Sequence, residues 1–186
     1  KEILKLNKVE KLPLLDKNGI LKGLITAKDL LRKDQYPNAT KSIKGNLLVG
    51  AAIGVKGDYL ERAEELLKAG CDVLCVDIAH GHSKLCIDTI KALKSNFGDV
   101  QVIAGNVATS EATLDLINAG ADCIKAGIGS GGICVTRLVA GAGVPQFTAL
   151  LECAKVGHEC DVPIMADGGV GGLAGNIAKA IGSGAS

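Results

Sequence analysis

The sequence predicts an α/β chain, namely about five strands of an incomplete (β/α)8 TIM barrel preceded by a small hairpin-and-helix unit. Three observations carry this. The runs 47–53, 72–77, 100–105, 122–128 and 162–167 are almost continuously aliphatic, as strands of a parallel sheet buried on both faces must be. Amphipathic segments separate several of them. The phrases KAGCDVLCVD (68–77) and NAGADCIKAG (118–127) then repeat one grammar of helix end and strand start. Strand starts recur at intervals near 25 residues, the unit size of an eight-fold barrel of about 250 residues.

Taken in order, residues 12–33 (LPLLDKNGILKGLITAKDLLRK) hold two apolar runs joined by Asp16-Lys17-Asn18-Gly19, a hairpin signal. A helix start follows at Thr26, where Asp29 completes a variant of the capping box. The polar stretch 35–46 reads as a linker. Helices are predicted over 58–68, 83–95 and 110–118, with Asp58, Ser83 and Ser110 as caps and Ala-Gly stops at 69–70 and 119–120. The interval between the last two strands is 40 residues, so the loop after 122–128 carries about 15 residues beyond the basic unit, and extra length of that kind is usually functional. Strands missing before residue 1 and after residue 186 are expected to leave two sheet edges unpaired, so that the isolated 186 residues fold poorly.

Composition narrows the function. Hydrophobic residues make up 47% of the chain and aromatics only 2%, so Leu, Ile, Val and Ala fill the core. A net charge of +1 with so few stacking aromatics argues against nucleic acid as a partner. No apolar run reaches the roughly 18 residues that cross a membrane. Seven cysteines without close pairing, most within apolar runs, fit core thiols in a reduced, cytoplasmic setting. Cys71 and Cys75 are separated by strand-like residues rather than a turn, which disfavours zinc ligation.

Chemistry gathers at the ends of the strands, where such barrels keep their functional groups. These ends read Asp77-Ile78-Ala79-His80-Gly81-His82-Ser83, Gly105-Asn106, Gly127 onward and Asp167-Gly168-Gly169. The loop opening at Gly127 has further glycines at 129, 131 and 132, then Cys134 with Thr136 and Arg137 behind it. Glycines let backbone groups approach a ligand, and a thiol emerging from such a cradle is a candidate nucleophile. One more small core residue among seven cysteines is the competing reading of Cys134. Lys125 is either a loop anchor or a solvated charge, and His80 and His82 shape their loop.

DIAHGHS (77–83), AGN (104–106), GIGSGGICVTR (127–137), AGAGVPQ (140–146) and ADGG (166–169) together resemble the IMP dehydrogenase/GMP reductase family over nearly the whole chain. Residues 1–34 resemble the C-terminal part of a CBS (Bateman) module, which that family inserts into its barrel, with 47–186 the partial catalytic domain. The resemblance implies NAD-dependent oxidation of IMP to xanthosine monophosphate, in guanine nucleotide biosynthesis. Cys134 would attack C2 and Thr136 would orient the hydrolytic water. It further implies Asp77, Asn106, Gly127 and Gly129 on the NAD side, and Asp167, Gly168, Gly169 and Gly132 on the IMP side. A potassium ion on the carbonyls of Gly129, Gly131 and Cys134, and a homotetramer for the full-length protein, complete the picture. This stretch alone would not turn over.

Departures are specific. Gly132 stands where the family usually has serine, Val135 where it has the first of two threonines, and Val170 to Asn176 replace a loop shorter by one residue. GMP reductase, or a nucleotide-binding relative that has lost catalysis, are the alternatives. The HGHS and GAGVPQ segments and the CBS-like tail favour the dehydrogenase.

Overall fold

The structure, a computed structural model, describes residues 1–186, which form two compact units, Lys1–Leu48 and Val49–Ser186. In the first, helix α1 (Glu2–Leu6) precedes strands β1 (Lys11–Leu15) and β2 (Leu21–Thr26) and helix α2 (Ala27–Gln35). The two strands pair antiparallel, as the Asn-Gly signal predicts. Asp16 Oδ1 closes the turn by accepting the N–H groups of Asn18 and Ile20 at 2.9 and 3.0 Å, and Gly19 takes φ +78°. The α2 cap is reciprocal: Thr26 Oγ1 accepts from Asp29 N–H at 3.1 Å, and Asp29 Oδ2 accepts from Thr26 N–H at 3.0 Å. Leu4 is buried here, whereas Leu15, Leu21, Leu24 and Leu31 are exposed.

The second unit carries strands β3 (Gly50–Ile53), β4 (Val73–Asp77), β5 (Gln101–Val107), β6 (Cys123–Ala126) and β7 (Ile164–Ala166). They form one parallel sheet in the order β3-β4-β5-β6-β7, with β3 and β7 at its edges. The expected run 47–53 starts three residues late, because Leu47 and Leu48 belong to the first unit and Leu47 bridges to Lys41 within the expected linker. Helices α3 (Tyr59–Lys68), α4 (Lys84–Phe97) and α5 (Ser110–Asn118) connect the early strands, and a short α6 (Thr136–Val139) and α7 (Gln146–Glu159) lie between β6 and β7. Helix α8 (Ala174–Gly182) follows β7. Leu74, Val76, Val102 and Ile124 of the sheet pack with Ile90, Leu93, Leu116 and Leu150 of the helices, each worth about 1.5–3 kcal/mol of burial.

The repeated phrases have a physical basis. After α3, Gly70 (φ +93°) donates to Leu67 O and Cys71 to Leu66 O, the paired bonds of a Schellman stop. Gly120 and Ala121 repeat this after α5, and Gly184 and Ala185 after α8. The next residue re-enters the sheet each time: Asp72 N–H bonds Val49 O, Asp122 N–H bonds Val102 O, and Ser186 N–H bonds Ile164 O. Asp72 and Asp122 also accept with their carboxylates from the N–H groups of Val49 and Val102, at 2.8 and 2.7 Å.

Two expected caps are corrected. Ser83 does cap α4, but α5 is capped by Thr109, which accepts from Ala112 N–H at 3.2 Å. Ser110 is the first helical residue and donates instead to the Glu152 backbone and carboxylate. Asp58 precedes α3 with no capping bond from its side chain.

Candidate active site

Parallel pairing brings the C-terminal ends of β4 to β7 side by side, so Asp77, Asn106, Gly127 and Asp167 meet although 90 positions separate the first from the last. At their centre is Lys125, whose side chain is only 11% exposed. Its Nζ donates to Asp77 Oδ1 at 2.9 Å and to Asp167 Oδ2 at 2.8 Å. Burial opposes the charge on Lys125, but hydrogen bonds to Asp167 and Asp77 outweigh it and hold the ammonium above the ordinary lysine range. Burial likewise pushes Asp167 up, yet donation from Asn106 and Lys125 wins and its carboxyl lies below the usual range. Of the two expectations for Lys125 the structure favours the anchor: a nearly buried ammonium tied to two half-exposed carboxylates that open the loops after β4 and β7.

Asn106 spends both amide N–H donors within this cluster, on Gly127 O and Asp167 Oδ2, each at 2.8 Å. Gly127 is there for want of space: at φ +145° an added Cβ would stand 2.1 Å from Asp167 O. Its N–H is bonded to Val107 O, so neither Gly127 nor the Asn106 amide keeps a donor for a cofactor. Asp77 differs. Its side chain is 53% exposed and only Oδ1 is taken, so Oδ2 remains an acceptor suited to ribose hydroxyls.

The glycine loop, residues 127–145, lies against the Asp167–Gly169 turn that follows β7. Gly168 and Gly169 both have positive φ, and an added Cβ on Gly168 would sit 2.8 Å from Gly131 N. This close approach sets Gly168 and Gly169 against the cysteine loop. Cys134 Sγ is 3.3 Å from Thr136 Oγ1. The Thr136 hydroxyl and its N–H, with the Arg137 guanidinium nearby, hold the Cys134 thiol below its usual range despite some burial. A cleft of about 440 Å³ opens between Ile128–Ser130, Arg137, Gly141, Gly143–Gln146 and Gly169. Cys134, Thr136, Asp77 and Asn106 are not in its lining. Gly132 is free of neighbours, with no atom within 4 Å of an added Cβ.

Two of the three carbonyls assigned to potassium each accept a hydrogen bond. Arg137 Nη1 donates to Gly129 O at 2.8 Å, and Gly131 O accepts from Cys134 N–H at 3.2 Å. A guanidinium thus supplies positive charge at Gly129 O.

Two residues that the sequence offered only as parts of motifs acquire roles of their own. Gln146, at the start of α7, donates through Nε2 to Ala126 O at 2.9 Å and ties the helix to the end of β6. Gly105 lies directly between Asp77 and Lys125 in the sheet register. A polar residue after Val-Pro was the visible signal for Gln146, and glycine inside an apolar strand was the signal for Gly105. His82 Nε2 lies 2.8 Å from Asp115 Oδ2, which fixes the 77–83 loop to α5, while His80 is exposed.

The domain described as IMP dehydrogenase / GMP reductase matches residues 2–186. The chain belongs to the IMP dehydrogenase/GMP reductase family. Inosine-5'-monophosphate dehydrogenase of Nitrosopumilus maritimus is 54% identical over 100% of this chain and 39% of its own length. GMP reductase of Leishmania donovani is also 54% identical, over 100% of the chain and 38% of its own length. Among solved structures, a variant of GMP reductase from Trypanosoma brucei superposes with a TM-score of 0.87 at 48% identity, covering 99% of this chain and 42% of that one. The same enzyme in complex with guanosine 5'-monophosphate gives 0.85. The chain thus spans about two fifths of the length of these family members. Since reductases match its full length, the N-terminal unit and the HGHS and GAGVPQ segments do not by themselves separate the two activities.

Proposed function

We propose that the full-length protein oxidises IMP to xanthosine monophosphate with NAD, by way of a covalent bond between Cys134 and purine C2. The observation that carries this reading is a thiol of lowered pKa, 3.3 Å from a threonine hydroxyl, on a loop whose Gly131 abuts the Asp167-Gly168 turn. Hydride cannot leave an aromatic carbon until a nucleophile makes that carbon tetrahedral, and a thiolate does so at neutral pH. In the neutral thiol Cys134 Sγ donates to Thr136 Oγ1 at 3.3 Å, and once it ionises the Thr136 hydroxyl turns to donate to the sulfur and stabilises the attacking thiolate. NAD, when bound, supplies the hydride acceptor, and Asp77 Oδ2 is the acceptor positioned for its ribose. After hydride departure Thr136 orients the water that cleaves the carbon–sulfur bond, which returns the thiol and leaves oxygen on C2. Asp167 holds the nucleotide ribose while the N–H groups of Gly168 and Gly169 face its phosphate. No step runs through a potassium ion.

The wider frame belongs to the same proposal: a closed (β/α)8 barrel, residues 1–34 as part of a CBS module, a homotetramer, and a place in cytoplasmic guanine nucleotide synthesis. The test is direct. Full-length protein given IMP and NAD should show the absorbance rise of NADH. The equal match to reductases supports one second reading, GMP reduction, which predicts NADPH consumption with GMP instead. Calorimetric IMP binding without turnover in either direction would mark a binding protein that has lost catalysis.

A further inference from the structure

Lys125 has no part in the steps above, yet it is the most buried charged side chain at the site, and the sheet register explains its reach. Asp77 on β4 pairs with Gly105 on β5, and Gly105 pairs with Lys125 on β6. In a parallel sheet, residues in register share one face, so Asp77 and Lys125 stand two strands apart, roughly 10 Å, with position 105 between them. An acid and a base on next-but-one strands meet only if the long side chain crosses an unobstructed position. Gly105 provides it, having no side chain of its own. An added Cβ there would lie 2.4 Å from Lys125 O and 2.7 Å from Lys125 Cβ. From the other side Asp167, just beyond β7, reaches the same nitrogen, so one ammonium holds two carboxylates within two hydrogen-bond lengths of each other.

We propose that Lys125, passing over Gly105, is a positioning residue that locks the cofactor-side carboxylate Asp77 and the nucleotide-side carboxylate Asp167 into one rigid unit. The assignment of the two sides rests on the function proposed above. Its consequence is that the two ligands' ribose anchors are not independent: a hydride donor and acceptor must meet at one fixed separation, and the lysine sets the spacing of their handles. The bridge also neutralises one of two adjacent carboxylates, which otherwise repel.

The experiment uses the full-length enzyme and compares Lys125→Met, Lys125→Arg, Asp77→Asn and Asp167→Asn. Asp77→Asn is expected to raise chiefly the KM for the dinucleotide and Asp167→Asn chiefly that for the purine nucleotide. Lys125→Met should raise both, each by about 10-fold or more as charge-assisted hydrogen bonds are lost, with kcat falling less than either KM rises. Lys125→Arg should recover part of both, a rescue that a residue needed only for folding of the strand would not show. The proposal is overturned if Lys125→Met shifts one KM alone, or lowers kcat alone. Should Lys125→Met not fold, the double variant Asp77→Asn with Asp167→Asn decides. Non-additive effects on the two KM values support one unit, and additive effects refute it. Wild-type turnover is measured first with both substrate pairs. If only GMP and NADPH react, the dehydrogenase reading falls while the lysine test proceeds with that pair. If neither pair reacts, calorimetric affinities for IMP and NAD replace the KM values.

Discussion

The cysteines of the sheet-and-helix core and the cysteine of the glycine loop are the same side chain in opposite surroundings. Cys86 and Cys153 are wholly buried, and burial pushes both thiols up, that of Cys86 to about 11. Cys75 and Cys123, half-buried on the sheet, are raised for the same reason. Cys134 alone is lowered, by local donors rather than by any deep pocket. Its surroundings are open: Ile133 beside it is 99% exposed and no residue of α6 is buried. On the proposed function, reactivity would come from a few directed hydrogen bonds on a loop, while stability comes from apolar contact elsewhere. The two should separate cleanly under mutation.

The largest effect tests the separation outright. Cys134→Ala in the full-length protein is expected to lower kcat by about a thousand-fold or more, since without the thiol no covalent step exists. Its thermal midpoint should stay close to wild type, because a partly exposed loop residue outside the core contributes within about 0.5 kcal/mol. Cys86→Ser is the mirror image. A hydroxyl placed at a fully buried site without a partner should cost about 1–3 kcal/mol in denaturant unfolding, with turnover per folded molecule unchanged. If Cys134→Ala retains activity, the loop thiol is not the nucleophile.

How much of this was readable beforehand follows from the range of the forces involved. Strands, the Asn18-Gly19 hairpin, the Thr26/Asp29 cap and the Ala-Gly stops all depend on neighbours within six residues, and all appear. The convergence of Asp77, Asn106 and Asp167 on one edge was also legible, since strand ends in a parallel sheet share a side. Lys125 was not. A lysine in an apolar run looks the same whether it escapes to solvent or bridges to β4, and its partner is 48 positions away. Helices α7 and α8 were missed as well. Both follow residues that cannot cap with a side chain, Pro145 and Leu173, so the start signals that marked α4 and α5 were absent. Thr109 and Ser110 are both good caps, so only geometry could choose between them.

A smaller effect should sharpen what lowers the Cys134 thiol. Thr136→Val removes the hydroxyl that donates to the sulfur, so the thiol should move back up. A lowered folded value means the thiolate persists as pH falls below the ordinary thiol range of about 8.5, and is lost only when pH passes through the lowered value. In Thr136→Val that loss should come at higher pH. Alkylation of Cys134 by iodoacetamide, followed by mass spectrometry across pH, should show its half-maximal rate displaced upward. Cys86 and Cys153 should stay unmodified in the folded protein throughout. An unshifted profile would assign the lowering to Arg137 and the backbone instead.

The smallest expected change concerns Gly132. Glycine is not required there: its φ lies outside the left-handed region, and the space where a side chain would go is empty to 4 Å. Serine fits without displacing anything, and replacing glycine narrows the unfolded ensemble, so Gly132→Ser should be neutral to about 1 kcal/mol stabilising. The hydroxyl would then stand on the loop whose Gly131 touches Gly168, facing the proposed nucleotide phosphate. One hydrogen bond to a charged group predicts a fall in nucleotide KM of roughly 10-fold. The dinucleotide KM and the Cys134 alkylation rate should not move, because Asp77 and Thr136 are untouched. If the nucleotide KM is also unchanged, the phosphate is held by the Gly168-Gly169 backbone alone, and the loop's part in the site reduces to presenting the thiol.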